Sequence, residues 1–517
     1  MQQKAHNTVA LLLHLALLVV PWLALSGCGI LTIPVLGISN EPMPEQERRH
    51  IGQRSVTEVP SAAYLASYDV PWSIDWQCRN TKSLPLKDCQ ATNTTNRDFI
   101  GLAISGGGSR AAIFSAAVIF ELQRYGLMQQ VDVLSSVSGG SLTAAFYVLS
   151  CDPPDPKRSC PPTIEGTGRQ LWTPETVFQL LERDFIWRWI GNLLRPTKIF
   201  LLTLTRYDRD DLMADTFDHS LFDTSNLGYE GFRFQDLNPQ RPSLIINATN
   251  NTADHEGVQS DTQILHFGFT NREFSRLNSD FNQYRIADAV MASAAFPGAF
   301  HYVTLRNYFE NDQYIHLYDG GTSDNLGVTG LVKVLGTITA APQPPSRKLV
   351  IAIDAYIPPA GKNREKADPR SPWDYLLDTN FLDAYGSLMA ALREKHFEAI
   401  QGDYLTGPNN LLLQVNFEQL STLDTEEARS LYRQLLTIRT SLSITCEDAF
   451  ALKRAARILV EDRVTLLRKD PHFTDLVHNP TDDGYEIKPC PNSEGSSSKG
   501  SAIGKQSDNK ATFPSGP

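Results

Sequence analysis

A serine in the stretch LSSVSGGSL (134–142) stands between an apolar run and a helical pattern. Ser138 is followed by Gly139 and Gly140 and preceded, two positions back, by Ser136. A serine nucleophile needs this kind of setting. A sharp strand-to-helix turn lifts the hydroxyl clear of the backbone, and small flanking residues let the turn close. The usual pattern is Gly-x-Ser-x-Gly; here Ser136 takes the place of the first glycine. The chemistry would be covalent acyl transfer, which needs a base for the hydroxyl proton and N–H donors for the oxyanion.

Both parts have candidates. AISGGGSRAAIFSAAV begins at Ala103 and places Gly106, Gly107 and Gly108 one β-α unit before Ser138. Glycines there weaken both strand and helix, and the usual gain is close approach of backbone N–H groups to something negative. A phosphate-binding P-loop would close on Gly-Lys-Ser/Thr, which this stretch lacks. A dinucleotide fingerprint would carry an acidic residue about twenty positions further on, also missing here. Arg110 is placed to add positive charge or to orient the loop. Downstream, HLYDGGTSDNLG (316–327) ends a strand pattern on Asp319, followed by Gly320 and Gly321. Junctions of a parallel sheet share one edge, so this carboxylate is expected beside the serine. A carboxylate at its free pKa is a weak base toward an alcohol, and its surroundings must raise its basicity.

A Ser-acid-His triad on an α/β sheet would carry its histidine after the acid. Only His396, His472 and His478 follow Asp319, and none sits in a turn after a clear strand. His266 and His301 read as core or surface residues.

The elements that must position these groups begin near Phe99. Strand patterns cover 99–105, 131–137, 243–249, 263–269, 315–319 and 348–354, and helical patterns cover 109–125 and 138–150. Residues 371–405, 424–444 and 446–469 also read as helical. This β-α-β-α order implies a mostly parallel sheet covered by helices on both faces. Residues 184–212 mix Trp, Ile and Leu with Arg and Lys. An interfacial surface or a cap over an acyl-chain pocket is one reading; a helical insertion with its apolar stripe facing inward is the favoured one.

Composition sets the outer limits. The chain has 517 residues, 41% hydrophobic and 20% charged, with a net charge of −11. No basic run offers a nucleic-acid face, and no nucleic-acid partner is expected. At the N-terminus, Lys4 precedes an almost wholly apolar run from Thr8 to Leu25, then LSGC (25–28). This resembles a bacterial lipoprotein signal, in which the cysteine is acylated and becomes the new N-terminus. The resemblance implies lipidation of Cys28, a bacterial cell-envelope location and, from Gly29, the outer membrane. The other six cysteines are Cys78, Cys89, Cys151, Cys160, Cys446 and Cys490. Export would allow disulfides, and the simplest pairing joins sequence neighbours, Cys78 with Cys89 and Cys151 with Cys160.

Taken together, Gly-Gly-Gly-x-Arg at 106–110, Ser-Val-Ser-Gly-Gly at 136–140 and Asp-Gly-Gly at 319–321 resemble the patatin-like phospholipase family, as does ASAAFPGAF (292–300). The resemblance spans about residues 98–330. It implies an α/β fold, a three-layer α/β/α sandwich with a mostly parallel central sheet. It also implies a Ser-Asp dyad in place of a triad, with Ser138 as nucleophile and Asp319 as base. The N–H groups of Gly106, Gly107 and Gly108 would form the oxyanion hole, supported by Arg110, Gly140 and Gly320. No metal or other cofactor is implied. The substrate class is a phospholipid or another acyl-ester lipid, and the membrane is met through lipidated Cys28. The rival from another class is a catalytically quiet lipid-binding or scaffold lipoprotein on the same fold; the intact serine, aspartate and glycine loop favour the enzyme. The expected organisation is a signal at 1–28, a tether at 29–97, an acyl hydrolase domain at 98–470 and a polar, disordered tail at 471–517.

Overall fold

FIGLAI, the first strand, is apolar at every position except its glycine and is buried throughout. Such a run belongs in the middle of a sheet covered on both faces. In the computed structural model it does lie there. The structure describes residues 40–43, 98–153, 169–205, 207–223, 231–238, 240–252, 265–308, 313–340, 344–358, 380–481, 485–488 and 490.

The strands are β1 (Phe99–Ile104), β2 (Val133–Val137), β3 (Ser243–Asn250), β4 (His266–Phe269), β5 (Val303–Asn307), β6 (Gln313–Asp319), β7 (Lys348–Asp354) and β8 (Asn410–Asn416). They form one sheet in the order β5-β6-β3-β2-β1-β7-β8, with β4 also paired to β3. The run β3-β2-β1-β7-β8 is parallel throughout. β4 and β6 pair antiparallel with β3, and β5 with β6.

The helices are α1 (Gly108–Arg124), α2 (Gly139–Leu149), α3 (Pro174–Leu181), α4 (Phe185–Leu193), α5 (Pro196–Leu204), α6 (Arg209–Phe217), α7 (Asn271–Arg276), α8 (Ile286–Ser293), α9 (Val328–Thr339), α10 (Asn380–Ala399), α11 (Glu426–Leu435) and α12 (Cys446–Lys469). Alternation along β1 divides them into two layers. Ile100, Leu102 and Ile104 join the core of α1, α2 and α12. Phe99 and Ala103 face the other way, onto Leu331 and Leu335 of α9 and onto Phe397 and Ile400. The molecule is therefore the α/β/α sandwich that the sequence implies.

One register matters for the site. β2 pairs with Ser243–Asn247 of β3, and β6 takes over at Ala248. Asp319, opposite Ala248, therefore arrives one position beyond Val137, the partner of Asn247 and the residue before Ser138.

Several expectations need correction. β5, β8 and the helices α3, α7, α8 and α9 fall outside the strand and helix patterns read from the sequence. The helix anticipated over 424–444 stops at Leu435, and the following segment runs as a loop that brings Ser441 to the glycine loop. The polar C-terminal segment expected from residue 471 starts too early: Phe473, Leu476 and Tyr485 are buried, and Cys490 is disulfide-bonded to Cys446. Cys151 is also disulfide-bonded. Cys160, its expected neighbour, lies outside the described residues, as do Cys28, Cys78, Cys89 and the whole 1–28 signal. Of the expected tether, residues 40–43 are described. Asn40 donates to Ser279 Oγ (3.1 Å) and accepts from the Arg306 N–H (2.8 Å), which fastens this stretch beside β5.

Candidate active site

The turn between β2 and α2 forces Ser138 into φ +50°, ψ −125°. A non-glycine residue tolerates such a backbone only where its surroundings hold it. The hold is visible. The Ser138 N–H donates to Ser293 Oγ at 2.8 Å, and the Ser293 hydroxyl donates onward to the Asn247 carbonyl at 2.6 Å. Ser141 Oγ lies 3.2 Å from Ser293 Oγ and donates to Ser136 Oγ at 3.1 Å. Ser136, the departure from the usual elbow glycine, is thus fully buried within a hydroxyl cluster beneath the turn.

Asn247 binds this cluster to the sheet. Its amide donates to Ser135 Oγ (2.9 Å) and to the Ser136 carbonyl (2.8 Å). Its Oδ1 lies 2.6 Å from His266 Nε2. Burial holds the His266 pKa well below the ordinary range, with Lys333 adding to the effect. A neutral imidazole facing an amide oxygen carries its proton on Nε2. Of the two places expected for His266, core or surface, it takes the core.

The Ser138 hydroxyl donates to Asp319 Oδ2 at 2.9 Å. Asp319 Oδ1 accepts the Gly321 N–H at 2.7 Å. Burial pushes the Asp319 carboxyl up to about 6, against the lowering pull of the Gly321 and Ser138 hydrogen bonds. Its environment therefore supplies the raised basicity that a carboxylate base requires. Among the described residues, no histidine hydrogen-bonds either Ser138 or Asp319. His396 instead sits 3.4 Å from Asp324, which caps the start of α9 through the Leu326, Gly327 and Thr329 N–H groups.

The glycine loop divides its work. The Gly106 N–H is already committed to the Asn325 carbonyl at 2.9 Å, which corrects the expectation that all three glycines present free donors. Ser109 donates to the Ser441 carbonyl at 2.7 Å. Between them, the N–H groups of Gly107 and Gly108 have no protein acceptor among the described residues. They stand at the start of α1, where helix geometry leaves N–H groups without an intrahelical partner. Gly108 has φ +61°, and a side chain there would fall 2.2 Å from the Ser441 carbonyl oxygen. Gly106 lies directly under the nucleophile, its would-be Cβ 3.1 Å from Ser138 Cβ.

Arg110 does not present its charge to the site. Its Nε donates to the Ala355 carbonyl (3.0 Å) and its Nη1 to the Ile438 carbonyl (2.9 Å). Burial lowers it to about 10, offset in part by Asp354. Of the two roles open to it, orienting the loop is the one this geometry fits. Gly140 packs the start of α2 on β1, where a Cβ would meet the Ser105 carbonyl at 2.5 Å, and Gly320 likewise fits against the Asn247 carbonyl at 2.3 Å.

Sequence reasoning missed Ser293, Asn247, Asn325 and Ser441. Ser293 lies within ASAAFPGAF, where a signal existed but no role followed from it. The others are single polar residues whose importance appears only when distant segments meet.

The model of the family described as patatin-like phospholipase matches residues 102–332. Among curated proteins, no relative matches the sequence. Among solved structures, the chain is similar to human GIVD cytosolic phospholipase A2, at 12% identity over 80% of this chain and 67% of that one, with a TM-score of 0.42. It is also similar to VipD from Legionella pneumophila, at 14% identity over 71% of this chain and 66% of that one, with a TM-score of 0.28. The chain thus spans about two thirds of the length of each.

Proposed function

We propose that the protein hydrolyses acyl esters of phospholipids or other lipids through a Ser138–Asp319 dyad, a reading supported by the match of residues 102–332 to the patatin-like phospholipase model. The observation that carries the reading is the 2.9 Å hydrogen bond from the Ser138 hydroxyl to a buried carboxylate at a strained strand-to-helix turn.

Asp319 Oδ2 takes the hydroxyl proton as Ser138 Oγ attacks the ester carbonyl carbon. The N–H groups of Gly107 and Gly108 meet the oxygen on which charge develops. Asp319 then gives its proton to the departing alcohol, the carbon–oxygen bond of the ester breaks, and an acyl group remains on Ser138. In the second half, Asp319 takes a proton from water, the hydroxide oxygen attacks the acyl carbon, and the fatty acid leaves as the proton returns to Ser138. We further propose that the protein works at the membrane of a bacterial envelope, held there by acylated Cys28; mass analysis of the N-terminal peptide from a proteolytic digest tests that anchor, a peptide starting at lipid-modified Cys28 supporting it and an unmodified Cys28 contradicting it.

The activity is tested by fatty-acid release from phospholipid vesicles. Wild type is expected to release it, and Ser138→Ala to lose at least about 10³-fold of the rate with the same melting temperature. Folded wild-type protein that binds these lipids without releasing fatty acid would point to the quiet lipid-binding reading instead.

A further inference from the structure

Much of the α4–α6 segment packs inward, as its apolar stripe predicts. Phe185 stacks edge-on against Phe217, and Leu202 and Leu212 share a small core. α4 also has an outward face. Ile186, Trp187 and Leu194 leave 38%, 70% and 61% of their surface exposed. The other large exposed apolar side chains among the described residues, Leu171, Tyr302, Leu388 and Leu466, stand far apart in sequence. Single exposed apolar residues are ordinary on a soluble surface; a cluster marks an interaction face.

The cluster has helical order. Trp187 and half-buried Ile190 fall at i and i+3 on one stripe with exposed Arg188 beside it, and exposed Leu194 and Arg195 follow at once in the junction between α4 and α5. Charge follows the same division. From Phe185 to Tyr207 the chain has no acidic residue, although it holds 58 acids and a net charge of −11 overall. This face is locally cationic on an anionic molecule.

Two ties bring α4 to the site. The Phe185 N–H donates to the Leu442 carbonyl at 3.1 Å, next to the Ser441 carbonyl that holds the glycine loop. The Trp189 ring meets Phe300 edge-on at 6.4 Å between centroids, on the segment that follows Ser293.

We propose that α4 docks on an anionic lipid surface, with Ile186, Trp187 and Leu194 in the interface and Arg188 and Arg195 on lipid phosphates. The inference rests on the acyl-hydrolase reading and turns the Ser138 end of the sheet toward its substrate. An indole sits well at the boundary between acyl chains and headgroups, and a guanidinium pairs with phosphate in a forked geometry. Nine residues of helix reach only about 14 Å, against a hydrocarbon core of about 30 Å. α4 therefore lies in the plane of the interface. A second copy of the chain suits the face less well, since a two-fold contact would bring arginine stripes together.

The test follows Trp187 itself in the full chain carrying Ser138→Ala, so that lipid is bound without turnover. The Trp187 component is the fluorescence that Trp187→Phe removes. Vesicles contain phosphatidylcholine with or without phosphatidylglycerol, and the acyl chains carry bromine as a quencher. The expected result is quenching and a blue shift of this component on anionic vesicles, with at least about tenfold weaker binding in Arg188→Glu/Arg195→Glu and at high salt. The readout is local to α4, so binding through the N-terminal segment does not imitate it. Absence of vesicle binding, or bound protein with this component unquenched, overturns the proposal. So does a component that shifts with protein concentration in the absence of lipid, which assigns the face to a second copy. Failure of the acyl-hydrolase reading shows separately, as wild-type protein that docks but releases no fatty acid.

Discussion

Asp319 carries two demands that pull in opposite directions. Its buried position raises its pKa to about 6, which makes it a usable base but disfavours its charged form. The folded state therefore binds this proton more readily than the unfolded chain does. The contribution to stability is greatest below the ordinary carboxylate pKa and is lost as pH rises through about 6. Activity has the opposite sign, because the base works only when ionised. kcat/KM is expected to fall as pH drops through about 6, with a slope of one proton. A pH profile checks this. A flat profile from pH 5 to 8, in protein still folded across that range, would show that another group titrates in the free enzyme or that none does.

At the scale of elements, the site depends on segments that carry no chemistry of their own. α8 ends on Ser293, which is fully buried and receives the nucleophile's own N–H. Ser293→Ala would leave that N–H and the Asn247 carbonyl without this partner, at a cost of about 1–3 kcal/mol for a buried unsatisfied group. We expect kcat to fall about 10- to 100-fold with little change in KM, since the loss is in the placing of Ser138 and not in substrate binding. Steady-state kinetics beside a melting curve distinguish this from simple destabilisation; a variant with unchanged kcat and a lower melting temperature would make Ser293 structural only. The same elements show what was legible in sequence. β1, β2, β7 and the helices after the glycine loop and the elbow announce themselves, because each is a largely apolar run with a polar residue, glycine or proline close behind it. β5 is a short outer strand of mixed polarity, and β8 is an outer strand whose apolar run is broken by Gln414, so neither rises above its surroundings. The 436–445 loop reads as helix because Ile438 and Leu442 continue the spacing of Leu431 and Leu435. What stops the helix is tertiary: Ile438 and Ser441 give their carbonyls to Arg110 and Ser109.

Across the whole molecule, the arrangement follows from where the strands end. Glycine loop, nucleophile and carboxylate come from three distant parts of the chain and meet because β1, β2 and β6 finish at one place on the sheet. Ser138, Asp319 and the loop were legible because their spacing repeats a family pattern. The division of labour within the loop was not, since only the fold shows that Asn325 occupies the Gly106 N–H and that Arg110 faces main-chain carbonyls. Outward exposure of α4 was also hidden: an amphipathic stripe has the same sequence whether it meets a core or an interface.

The central claim is that Ser138 is a nucleophile activated by Asp319, and a fluorophosphonate probe tests it most directly. Mass mapping of the labelled wild-type chain should place the adduct on Ser138. Ser138→Ala should abolish labelling, and Asp319→Asn should slow it severely while the protein stays folded. Folded wild-type protein that takes no label would contradict the account, and labelling that survives Asp319→Asn unchanged would place the base elsewhere.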